Sequence, residues 1–251
     1  MAPSPIHMPA MILYLQALAP LPATIYRDDA TVLMRTVGIC ACLLGHPVRD
    51  VLSYSIDYNP ASLARIDADG TAVCLHLGGP YEFSMLRRVS AQDVRLTMPE
   101  WTHGYLTRSM EILRTSRQPT LGQAIAALRK GRNPLDLVKG DIESVLGFHR
   151  DGANRLPSDN PVHLVLHHGW LYVALRDLHL PRAWAQFALG RIVGSHRAAA
   201  HYYSCSGQEF SVFLRRVHSR IAELAEIPPP EDTYPPPTAG PAGQTTPTFT
   251  Q

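Results

Sequence analysis

Cysteine is scarce. Cys40, Cys42, Cys74 and Cys205 are the only four in 251 residues, and their spacing forms no disulfide framework. That excludes a small domain stapled by disulfides and leads us to expect a reducing compartment. Cys40 and Cys42 fall two apart in an expected helix, where side chains point to nearly opposite sides, so they make a poor chelate and read as thiols in a core. Long apolar runs are also lacking. "AMILYLQALA" (10–19) is too short to span a bilayer, as is every other apolar stretch. No Lys or Arg precedes it and "APLPATIYRDD" makes a weak cleavage region, so it reads as a short helix or arm and not as a signal peptide. Ala2 stands where myristoylation needs glycine, and no prenylation box ends the sequence, so no lipid anchor is expected. Charge of one sign is lacking as well. Lys and Arg total 23 against 21 Asp and Glu, and a net +2 gives no global case for nucleic acid or membrane. The chain has no G-x-S-x-G elbow, P-loop, G-x-G-x-x-G after a strand, HExxH, or repeat of solenoid period.

What is present suits a globular core: 45% hydrophobic and 18% charged residues. Residues 1–10 are expected to be loose. "IPPPEDTYPPPTAGPAGQTTPTFTQ" lacks the aliphatic side chains to offset its ordering entropy, so residues 228–251 are expected to be a disordered, polyproline-like tail. Residues 11–227 remain as one domain. Asp28 and Asp29 open a helix through Val32, Leu33, Val37, Cys40 and Leu44 that Gly45 and Pro47 end. "LSYSIDY" alternates Tyr54, Ile56 and Tyr58 as a strand does, and "SLARIDADGTAVCLHLGG" reads as a β-hairpin turning at Asp69-Gly70. From about Tyr105 the pattern is helical. Thr120 with Gln123, Asn133-Pro134-x-Asp136, Asn160-Pro161, Pro181 and Ser206 with Glu209 mark successive helix starts. The expected class is α+β: a mainly helical domain packed on a small antiparallel sheet or hairpin.

"NPVHLVLHHGWLYVALRDL" (160–178) sets three histidines in a helix that is apolar nearly all round, the mark of a helix enclosed by others. His163 and His167, four apart, could share a metal. A third ligand or an acid is needed as well, no Glu follows His163, and Asp159 lies outside the helix. His168 points about a third of a turn away. These imidazoles are expected to be structural, partly buried and hydrogen-bonded. A metal-dependent hydrolase built on His163 and His167 is the alternative. A second alternative is a nucleic-acid-binding module on the basic segment 108–139.

Three stretches, in order and spacing, resemble one family. "SLARIDADGTAVCLHLGG" (62–79) is similar to its hairpin region, and "NPLDLVKGDIESVL" (133–146) to a helix opening with Asn-Pro-x-Asp-Leu. "HHGWLYVALRDLHLPRAWAQFALGRIV" (167–193) is similar to a core helix followed by a Leu-Pro-x-x-Trp helix. The family is the herpesvirus cytoplasmic envelopment protein 1 family of small tegument proteins. The resemblance implies a non-enzymatic protein with no catalytic residue, metal or cofactor. It also implies binding to a smaller, palmitoylated helical tegument partner that supplies the membrane attachment, in the virion tegument and at juxtanuclear, Golgi-derived membranes during secondary envelopment. From the residues themselves, a partner helix would seek an exposed apolar stripe, and the candidates are Ile12, Leu13, Leu15 and Leu18 with Tyr202 and Tyr203.

Overall fold

The computed structural model describes residues 7–57, 59, 62–75, 94–147, 162–180, 182, 185 and 207–228. Helix α1 (His7–Leu18) and a 3-10 turn (Ala23–Ile25) lead into α2 (Asp29–Leu44) and a short α3 (Val48–Val51). Strands β1 (Ala64–Ile66), β2 (Ala72–Leu75) and β3 (Val94–Thr97) follow. Then come α4 (Glu100–Ser116), α5 (Leu121–Leu128), α6 (Pro134–Val145), α7 (Val162–Tyr172) and α8 (Gly207–Ala225). This is a mainly helical α+β fold with a three-stranded antiparallel sheet of order β1-β2-β3.

The core is organised about α2. Asp28 starts it: the carboxylate accepts from the Thr31 N–H at 3.2 Å and from the Thr31 hydroxyl at 2.6 Å. Gly45, at φ +72°, ends it in the left-handed conformation that closes many helices. Only Asp29, Thr31 and Arg35 of α2 escape burial, and α4, α5, α6, α7 and α8 all pack on it. Thr36 ties it to α4, sharing a 2.8 Å hydrogen bond with Ser109.

The hairpin forms where the sequence placed it, with Gly70 at φ +69° in the turn and Val73 opposite Ile66. All four residues of β2 are buried, so the strand is covered on both faces and not on one. Arg95, on β3, clamps the turn through Asp67 at 2.6 Å and Asp69 at 2.7 Å. The third strand was not legible. It is four residues long, and its alternation is too brief to read.

Three expectations are corrected. Residues 52–57 of "LSYSIDY" do not form a strand, because only Ser55 makes a single bridge, to Arg65. The Leu52 and Tyr54 carbonyls instead accept from Gly122 and Leu121, satisfying the first N–H groups of α5, so they have no ladder to join. The helical region begins at Glu100, behind Pro99, and not near Tyr105. The loose N-terminus does not extend over 7–10, because α1 begins at His7 and sinks His7, Ala10 and Met11 into the core.

α1 lies against α7 because Gly169 makes room: a Cβ there would meet the Met11 Cβ at 2.7 Å and the His7 carbonyl oxygen at 2.9 Å. Gly169→Ala is therefore expected to destabilise by about 1–2 kcal/mol, overpacking outweighing the gain in helix propensity. A lower thermal midpoint with faster proteolysis inside α1 would report it, whereas a rise in the midpoint would mean that this contact is loose.

Thr120 and Asn133 cap α5 and α6 as their sequence signals require, accepting from Gln123 and Leu135 at 3.3 and 3.0 Å. On α8, Phe213, Leu214, Val217 and Ile221 are buried while Arg216 and Glu223 face outward. Gly78-Gly79-Pro80, Asn160-Pro161, Ser206 and the Pro-rich tail beyond 228 lie outside the described residues.

Candidate functional site

The carbonyl end of α2 gathers the residue types that most suggest chemistry. A helix leaves its last carbonyls without intrahelical donors, and burial makes them costly unless something else donates. Here side chains from far along the chain do so. Trp170 Nε1–H donates to the Leu43 carbonyl at 3.1 Å, and His167 Nδ1 lies 2.6 Å from the Gly45 carbonyl. A carbonyl can only accept, so this contact fixes the His167 tautomer with its proton on Nδ1. His218, from α8, is buried beside the Leu43 backbone. The Trp170 ring covers Gly45, where a Cβ would fall 2.3 Å from Cδ2, so glycine is required there by both space and φ.

More imidazoles surround this end. His46 bonds the Tyr54 hydroxyl at 2.5 Å, and the rings of His7 and His168 meet at a tilt, with centroids 4.8 Å apart, between α1 and α7. All five of these histidines are buried. Burial pushes His218 down to about 4 against the raising influence of the Leu43 backbone, and it lowers His7 as well. A neutral imidazole is what burial favours and what this capping role uses. Among the described residues no group of three His, Cys, Asp or Glu converges to hold a metal.

A second, partly buried polar group lies between α2 and α6. Arg35 Nε sits 2.9 Å from Asp141 Oδ2, with the guanidinium 5.6 Å above the Tyr26 ring. Burial raises Asp141 to about 6, and the facing Arg35 only partly offsets it. Beside them Tyr14 fits its hydroxyl against Gly38, where a Cβ would stand 2.0 Å from the oxygen. Sequence reasoning missed this pair. Its one signal was a lone arginine in an otherwise apolar helix. Cys40 and Cys42 are buried in α2, with burial pushing Cys40 up to about 12 and raising Cys42 well above the usual thiol range, so neither is primed as a thiolate.

Comparison with protein-family models, with curated proteins and with solved structures found no match.

Of the residues that the sequence nominated, His167 is fully buried with Nδ1 engaged at Gly45, and the His163 side chain lies outside the described residues. Of the expected docking stripe, Ile12, Leu15 and Leu18 are consumed by the chain's own core, because they are on the side of α1 that meets α7 and α8. Only Leu13 is exposed, at 59%. Tyr202 and Tyr203 lie outside the described residues. In the basic segment, Arg108 pairs with Asp29, Arg129 with Asp28 and Lys139 with Asp136, whereas Arg114, Arg117, Lys130 and Arg132 stand exposed. Among the described residues no helix is long and apolar enough to cross a membrane.

Proposed function

We propose that this chain is a non-enzymatic viral tegument protein. In this reading it binds a smaller, palmitoylated helical tegument protein and supports secondary envelopment and virion assembly at juxtanuclear, Golgi-derived membranes. The observation that carries the reading is where the family-like residues sit. Asn133 and Pro134 open α6, His167 and Trp170 cap α2, and the Asp69-Gly70 turn joins β1 to β2. These positions decide a fold, so likeness concentrated there speaks for a shared architecture. The use of His167 as a buried donor agrees with a role in shaping a platform. The membrane attachment would come from the partner's acyl chain.

The test is co-expression with the small palmitoylated tegument protein of the same virus. A complex that stays together through affinity purification and gel filtration, in fixed stoichiometry, is expected. A chain that elutes alone at micromolar concentration and captures none of the partner would overturn the reading.

A further inference from the structure

Between Glu111 and Asp136 the chain holds 24 residues with five cations (Arg114, Arg117, Arg129, Lys130 and Arg132) and no acid. They sit at the two ends of α5, which is eight residues and about 12 Å long. Arg129 bonds Asp28. The other four are exposed, and none is paired with a carboxylate among the described residues. Beside them Leu128, at the end of α5, is 40% exposed, one of few large apolar side chains left in the open.

Helix dipoles explain part of this. Arg114 and Arg117 end α4, and Arg129 and Lys130 end α5, where cations meet the negative pole. They do not explain Arg132, which directly precedes the Asn133 cap and so faces the positive pole of α6. Nor do they explain the backbone. Arg117 and Lys130 adopt φ of +53° and +54°, where glycine would fit without strain and a side chain costs energy. The corner keeps cations at positions where local structure alone would favour other residues.

We propose that the corner between α5 and α6, with the end of α4 beside it, docks on an anionic lipid surface. Lys130, Arg132, Arg114 and Arg117 meet the head groups while Leu128 enters the acyl boundary. An apolar side chain flanked by basic ones is the pattern of interfacial attachment. Nucleic acid fits less well. From Leu106 to Gly147 there is no Phe, Tyr, Trp or His on which a base could stack, and an exposed leucine gains nothing from a phosphate backbone. The proposal concerns the chain by itself and does not need the partner of the preceding section.

The test uses the purified full chain without any partner. Its co-sedimentation is compared on vesicles of phosphatidylcholine alone and of phosphatidylcholine mixed with phosphatidylserine. Binding only to the mixed vesicles, weakening as salt rises, is expected. The double variant Lys130→Gln, Arg132→Gln should bind about thirtyfold more weakly, at roughly fivefold per charge. Leu128→Ser should weaken binding without changing its salt dependence. All three side chains are exposed, so unchanged unfolding midpoints are expected and confirm that the variants fold. No preference for phosphatidylserine, undiminished binding by the double variant, or displacement from vesicles by a short RNA duplex at lower concentration would each overturn it.

Discussion

Trp170→Ala is expected to lower the free energy of unfolding by about 5 kcal/mol. Removing a large aromatic side chain from a packed core typically costs about 3–5 kcal/mol, and Trp170 is fully buried, edge-on to Phe213 at 6.4 Å. The variant also withdraws the indole N–H from Leu43. This second loss falls within the roughly 1–3 kcal/mol for a buried unsatisfied group. Domains hold only about 5–15 kcal/mol in all, so the variant should lose roughly a third or more of its stability. Trp170→Phe separates the contributions, keeping most of the packing and losing only the donor, and should cost about 2 kcal/mol. Urea denaturation of both variants is the measurement. Equal losses in the two would assign the whole effect to the hydrogen bond and refute the packing account.

The second large effect is a pair of opposed pH dependences that nearly cancel in the native chain. His218 gains its proton near pH 4 when folded and near 6.5 when unfolded. Between those values the unfolded chain binds more protons, so this stability is fully present above about 6.5 and is lost as pH falls through 4. The full span is about 3 kcal/mol. Asp141 runs the other way. Its folded value is near 6 against 3.8 unfolded, so the folded state binds more protons in that window. Its contribution is present at low pH and is lost as pH rises through 6, again by about 3 kcal/mol. His7, also lowered by burial, adds in the sense of His218. Stability of the native chain should therefore change little between pH 4.5 and 6. Asp141→Asn should unmask a loss as pH falls across that window, and His218→Gln a gain. Urea midpoints measured at intervals across that range would reveal the slopes. A flat profile in both variants would mean that water reaches these groups.

The features legible in the sequence were those carried by neighbouring residues. Asp28, Thr120 and Asn133 announce helix starts because a cap is satisfied within three residues, and Asp69-Gly70 announces a turn for the same reason. The apolar girth of α7 told that it would be enclosed. What could not be read depends on partners far along the chain. His167 reaches a carbonyl 122 residues away and Trp170 one 127 away, so the sequence could say that these groups would be buried but not what they would bond. The Ile12, Leu15 and Leu18 stripe seemed available to a partner because the helices that bury it, α7 and α8, come more than 140 residues later in the chain. The Arg35–Asp141 pair escaped for a like reason, since each residue looks like an ordinary surface charge until α2 and α6 meet.

The packing of α7 and α8 on α2 also orders events during synthesis. Domains tend to fold from the N-terminus as they emerge from the ribosome. Here the central helix is made early, and its end stays open to water until the last elements have been translated. A nascent chain that has released residues 29–44 but not α8 leaves apolar sides of that segment uncovered. Folding of the nascent chain is therefore expected to wait for α8, and fragments ending before it should accumulate with folding factors instead of as independent domains.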